Sequence, residues 1–68
     1  MKNIIQGYRK MTGLSQQDMA NIFNVSRQAY WNKENGKSSF KDTEKELFTD
    51  QVKKIKPRIT IQDIFFSN

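Results

Sequence analysis

LSQQDMANIFNVSRQAYWNKENGK, residues 14–37, contains one six-residue pattern twice: Leu14-SQQD-Met19 and Val25-SRQA-Tyr30. Each runs apolar residue, hydroxyl residue, three further residues, apolar residue. Helices begin this way: the hydroxyl accepts from amides of the first turn, and the apolar pair on either side closes over it as a hydrophobic staple. Ile59-TIQD-Ile64 follows the same pattern near the end of the chain. The segments that follow differ in length, so the pattern is a recurrent capping solution and not an internal repeat. A fourth start, Thr43 with Glu46 three residues on, reads as a capping box without a staple.

Working outward from these starts, apolar residues at helical spacing predict five helices. The first covers about residues 2–11, starting at Lys2 and burying Ile4, Ile5, Tyr8 and Met11, and stops at Gly13, which can take the left-handed conformation favoured at a helix end. The second, about 16–23, buries Met19, Ala20, Ile22 and Phe23, and the third covers about 27–35. A fourth, about 43–55, buries Leu47, Phe48, Val52 and Ile55 before Pro57 forbids continuation. The last, about 61–66, is a short turn or two carrying Ile61, Ile64 and Phe65. No stretch alternates with period two for long enough to propose a strand. The expected fold class is all-α, a single compact domain of five short helices.

Helices two and three are joined by Phe23-Asn24-Val25 alone, a connection so tight that the axes must cross steeply, as in a helix-turn-helix. Asn24 suits the turn because Asn tolerates positive φ better than most residues. Ala20 supplies the small side chain needed where the axes approach, and Met19, Phe23, Val25 and Tyr30 turn inward.

On Gln16, Ala20, Asn24, Val25, Ser26 and the run Glu34-Asn35-Gly36-Lys37, the chain resembles helix-turn-helix regulators of the phage Cro and repressor type, over roughly residues 2–66. The resemblance implies a lambda-repressor-like DNA-binding domain whose third helix enters the major groove. It further implies an ion pair between Arg9 on the first helix and Glu34 closing the third, a structural link that orients the recognition helix. Two positions depart from the family pattern. Asn24 stands where Gly is frequent, and Lys33 stands where an aromatic residue or leucine often plugs the core. With that slot charged, Tyr30 and its neighbour Trp31 must supply apolar cover.

Charge points the same way. Twelve Lys and Arg against seven Asp and Glu give +5 and a pI near 9.8, the balance of a chain that meets polyanions. Residues 1–37 hold six of the basic residues and two of the acidic ones, whereas the remainder is nearly balanced. Of the three stapled starts, only the third helix lacks an acid at its third position: Asp18 and Asp63 fill it elsewhere, Ala29 here. A carboxylate there would favour the helix dipole but repel a phosphate. Alanine is also simply a good helix former.

At the amino end of the third helix, Arg27 and Gln28 carry the donors that read guanine and adenine, and Asn32 lies one turn on. By the resemblance, Arg27, Gln28, Trp31 and Asn32 take the base-facing positions. Trp31 lies about 100° around the helix from Tyr30. It either covers the rim of the core or turns its edge to sugar or a thymine methyl. Phosphate contacts are expected from Gln16 at the start of the second helix, from Ser26, and from Asn35, Lys37 and Lys41 beyond the third, with Gln17 a secondary candidate.

One helix in one groove reads few base pairs, so a homodimer on double-stranded operator DNA is expected, assembled on the DNA if the subunits do not pair before it. Phe40, Ile59, Ile61, Phe65 and Phe66 form the candidate adhesive surface, with Ile61, Ile64 and Phe65 assigned to the core and Phe66 left over. A short Cro-type phage or prophage repressor, cytoplasmic in a bacterial host, fits the lack of any ligand-sensing domain. The rival reading is a small regulatory protein that binds a larger repressor or toxin through that apolar C-terminal surface.

Other classes find no support in the residues. There is no histidine or cysteine, and Gly7, Gly13 and Gly36 are too scattered for a phosphate loop, so no enzyme, cofactor or small-molecule site is expected. Asp42, Glu44, Glu46 and Asp50 suit the start of a helix and lack the glycine-centred loop of a calcium site, so no metal is expected. Apolar runs are too short for a membrane span or signal-peptide core.

Overall fold

A computed structural model describes residues 3–66, and Lys2, where the first helix was expected to start, lies outside them. Five helices and no strand make up these residues: α1 (Ile4–Thr12), α2 (Gln16–Phe23), α3 (Arg27–Glu34), α4 (Asp42–Lys53) and α5, a π-helical turn (Gln62–Phe66). No helix among them is long and apolar enough to cross a membrane.

Local chemistry sets the boundaries. At the start of α1, the Asn3 side chain accepts from the Gln6 amide; Gly13 ends the helix at φ 79°, its amide returning to the Lys10 carbonyl. At α2, Ser15 and Asp18 exchange hydrogen bonds as a complete capping box (3.0 and 2.9 Å). Thr60 and Asp63 do the same before α5 (3.1 and 3.0 Å). Ser26 accepts from the Ala29 amide at 3.1 Å, and with alanine at that position no side chain returns the bond. Asn24 closes α2 at φ 59°, in the left-handed region that its position in the tight turn demands.

The start of α4 departs from expectation. Lys41, and not Thr43, is the capping residue. Its amide donates to Glu44 Oε1 at 2.8 Å, so Glu44 takes the role assigned to Glu46 and Thr43 sits within the first turn.

Met19, Ala20, Phe23, Tyr30, Phe48, Val52, Ile59 and Ile64 form the buried core. Phe40 joins them from the loop between α3 and α4, its ring meeting Phe23, Tyr30, Phe48 and Phe65 edge to face at centroid separations of 5.1 to 6.5 Å. Such geometry sets the positive ring edge against the negative face.

Ile64 is buried, Ile61 and Phe65 are half-buried and Phe66 is exposed, as expected of them; the correction to the candidate adhesive surface is that Phe40, half-buried in the cluster, and Ile59, buried, also belong to the core, which leaves Phe66 alone of that set exposed. Ile4, Met11, Leu47 and Ile55, expected inside, are also exposed. The reason is that polar residues take the inward positions. On α1, Arg9 is buried beside the half-buried Ile5 and Tyr8; on α4, Glu44 and Thr49 are buried with Phe48 and Val52. Each buried polar group has partners, which is the condition for burying it cheaply.

Candidate nucleic-acid interface

Glu34, the last residue of α3, anchors the region. Its carboxylate receives Arg9 Nε at 2.7 Å, Arg9 Nη2 at 3.3 Å, the Tyr30 hydroxyl at 2.7 Å and Gln16 Nε2 at 3.1 Å. Burial by itself would push Glu34 up, but the donors from Arg9, Tyr30 and Gln16 outweigh it and hold the carboxyl below its ordinary value. Arg9 is held further in its charged form chiefly by the hydrogen bond to Glu34, and Tyr30 is pushed up, first by burial and then by the adjacent carboxylate. Arg9 also donates to the Leu14 carbonyl at 3.0 Å, and Asn3 Nδ2 to the Glu34 carbonyl at 3.0 Å. Helices α1, α2 and α3 are thereby tied at one buried charge pair.

From this anchor the network reaches the surface. Gln16 spends an amide proton on Glu34 and offers its oxygen to Arg27 Nη2 at 3.5 Å. Gln16, Arg27, Gln28 and Trp31 together line a shallow hollow of about 250 Å³. Gln28 Nε2 donates to Asn32 Oδ1 at 3.2 Å, which aligns these two amides along the outer face of α3. Of the base-reading candidates, Arg27, Gln28 and Trp31 are exposed and Asn32 is half-buried. Trp31 is 36 % exposed, so it lies on the rim and is not enclosed; Lys37 Nζ stands 5.7 Å from its ring centroid.

The amino end of α3 faces outward. Ser26, Arg27 and Gln28 are all exposed, and the first turn holds no acidic residue. The first amides of a helix have no intrahelical acceptor. In α3 the Ala29 amide goes to Ser26 Oγ and the Tyr30 amide to the Ser26 carbonyl, and no hydrogen bond among the described residues takes those of Arg27 and Gln28.

The other phosphate-contact candidates are distributed around this end. Asn35 is exposed, but its Nδ2 donates to the Trp31 carbonyl at 2.9 Å, so its side chain closes α3. Lys37 and Lys41 are exposed at either end of the loop; the loop is held by the Lys37 amide on the Asn32 carbonyl at 2.8 Å. Gln17 is exposed on α2 and bonded to Asn21 Oδ1 at 3.1 Å, apart from the hollow.

A second buried pair was not foreseen. Lys33, occupying the slot expected to need an apolar plug, reaches Glu44 Oε1 at 2.9 Å and the Ser39 carbonyl at 3.1 Å. Burial raises Glu44, but the Lys41 amide and the Lys33 ammonium overcome it and lower its pKa. Lys33 therefore clasps the loop between α3 and α4 from below. The resemblance marked position 33 only as a slot often filled by an apolar plug, and no spacing in the sequence pointed from Lys33 to Glu44.

Compared with known protein families, curated proteins and solved structures, the chain matches none.

Proposed function

We propose that this chain is a sequence-specific double-stranded DNA-binding regulator, a short repressor of Cro type, that reads the major groove with α3 of a helix-turn-helix formed by α2 and α3. One observation carries this reading: an exposed helix start free of negative charge, on which Arg27, Gln28, Trp31 and Gln16 converge around one hollow. A major groove about 12 Å wide accepts one helix presented this way.

In this reading Arg27 and Gln28 take guanine and adenine edges, Asn32 extends the row, and Trp31 packs its exposed edge on sugar or a thymine methyl. Ser26, the free amides of α3, Lys37 and Lys41 meet phosphate. Gln16 acts twice, orienting Arg27 with its oxygen while its second amide proton is left for phosphate. Asn35 contributes by ordering the helix end, and Gln17 lies at the edge of the footprint. The buried Arg9–Glu34 pair fixes the angle at which α3 leaves the body.

The rival, docking to a larger repressor or toxin through the C-terminal apolar surface, retains only Phe66 of the side chains it needs, and Lys45 Nζ lies 4.7 Å from that ring.

The test is a gel shift on the DNA upstream of the chain's own gene, with Arg27→Ala and Gln28→Ala beside the wild type. Each substitution is expected to weaken specific binding by about 5- to 150-fold, the loss of one bidentate base contact at roughly 1–3 kcal/mol. For a dimer neutralising about four phosphates per subunit, log K against log salt should fall with a slope of roughly −7. Specific binding unaffected by both substitutions, or a flat salt response, rejects the reading.

A further inference from the structure

On α1, Ile4, Gly7, Tyr8 and Met11 form one stripe, and together with Lys56 they line an open hollow. Tyr8 and Lys56 also line a neighbouring hollow of about 690 Å³, which continues past Pro57, Arg58, Ile59 and Asp63. The two make a single trough between α1 and the segment that follows α4. It shares no residue with the hollow at the amino end of α3.

Gly7 does not fit a purely internal account of this helix. Glycine in a helix interior is less favourable than alanine, and Gly7 lies mid-helix without positive φ, where a β-carbon would meet nothing within 4 Å. Neither the backbone nor the packing of the domain requires it. What its bare hydrogen does provide is a low point in the trough, flanked by Ile4 and Met11, which stand 47 % and 49 % exposed. A helix surface of this shape admits close approach by another backbone, as small residues do wherever helices meet tightly.

We propose that the trough docks an acidic amphipathic helix of a partner protein, with its apolar stripe on Ile4, Tyr8 and Met11, a small residue over Gly7, and its carboxylates on Lys56 and Arg58. Charge selects this occupant. The rim contributes Lys56 and Arg58, with Lys53 and Lys54 exposed just before them, and none of the four has an ion-pair partner among the described residues. The acid in the lining, Asp63, accepts the Thr60 amide in its capping box. A second copy of the chain would bring the same cations against themselves. Duplex DNA would leave Ile4 and Met11 against phosphate.

The experiment pans phage-displayed helical peptides of about 16 residues, randomised at every position, on the full 68-residue chain. Enriched peptides are resynthesised and measured by fluorescence anisotropy. They are expected to carry net negative charge with apolar residues at helical spacing, and to lose about tenfold or more in affinity with Lys56→Glu. Gly7→Ala gives the distinguishing result: Tm rises by about 2–8 °C, from the propensity gain in a domain of this size, while peptide affinity falls at least fivefold. Because that variant is the more stable protein, weakened binding cannot be laid to misfolding. Absent enrichment, enrichment of neutral or basic peptides, or binding indifferent to both substitutions overturns the proposal. So does self-association by sedimentation, or binding to phosphatidylglycerol vesicles, if either is abolished by Met11→Glu.

Discussion

Two buried carboxylates hold the region around α3, and they are built differently. Glu34, at the end of α3, accepts four hydrogen bonds from three side chains on α1, α2 and α3. Glu44, at the start of α4, accepts one from a lysine and one from a backbone amide. The first joins helices to one another. The second joins a loop to the helices on either side of it. Removing one member of a buried pair strands the other, so the cost depends on how many remaining groups can reach water.

Arg9→Met should produce the largest effect. It leaves the Glu34 charge buried with only Tyr30 and Gln16 as donors, and deprives the Leu14 carbonyl as well. The expected loss is about 3–5 kcal/mol by urea unfolding, enough to unfold a large part of a 68-residue domain of ordinary stability. A loss no greater than that of a surface arginine would mean that the two sites are equivalent and the comparison fails.

Lys33→Met should cost less, about 2 kcal/mol, because the Lys41 amide still serves Glu44. The paired replacements separate the sites further. Lys33→Met with Glu44→Leu should return within about 1 kcal/mol of wild type, since the groups it releases, the Ser39 carbonyl and Lys41 amide, belong to exposed residues that water can reach. Arg9→Met with Glu34→Leu should show no such recovery, because the buried Tyr30 hydroxyl loses its acceptor. A double-mutant cycle in urea reads both.

The pH dependence divides the sites again. Both carboxyls are lowered in the folded chain, so their stabilisation is complete above the ordinary value of 4.5 and is lost as pH falls below it through the folded values. Tyr30 is raised, so its contribution is complete below the usual tyrosine value near 10 and is lost as pH rises above it. The Glu34 site therefore carries an alkaline limb through Tyr30. Denaturant midpoints are expected to fall on both sides in the wild type; Tyr30→Phe should reduce the alkaline fall, and the Lys33/Glu44 double replacement should reduce the acid one.

The difference between the sites also explains what the sequence disclosed. Ser15, Ser26 and Thr60 were legible because a cap and its helix lie within a few residues, where spacing alone defines the geometry. Asn24 was legible because only a few residue types accept the φ its turn imposes. The Arg9–Glu34 pair, distant along the chain, was accessible only through resemblance to a family that carries it. Lys33 with Glu44 had neither advantage, since a loop without periodicity separates them and the pattern gives each a solvated reading. The same blindness misplaced Ile4, Met11, Leu47 and Ile55: a hydrophobic pattern turns helices apolar side inward, whereas here Arg9, Glu44 and Thr49 claim part of that face. Phe40, in a segment with no pattern at all, gave no sign of being the ring on which four others meet.

The amino end of α3 stands against both anchors, since it holds no carboxylate whatever. Ala29→Asp would complete there the box already present at Ser15 with Asp18 and at Thr60 with Asp63. It should stabilise the fold slightly, by about 0.5 kcal/mol, through the helix dipole and the returned hydrogen bond. If phosphate occupies that end in the complex, the same substitution sets a negative charge beside it, and operator affinity should fall about tenfold or more even as Tm rises. Opposite signs from one side chain would show that the missing acid serves the ligand and not the helix; a rise in Tm with undiminished affinity would show that alanine stands there for propensity alone.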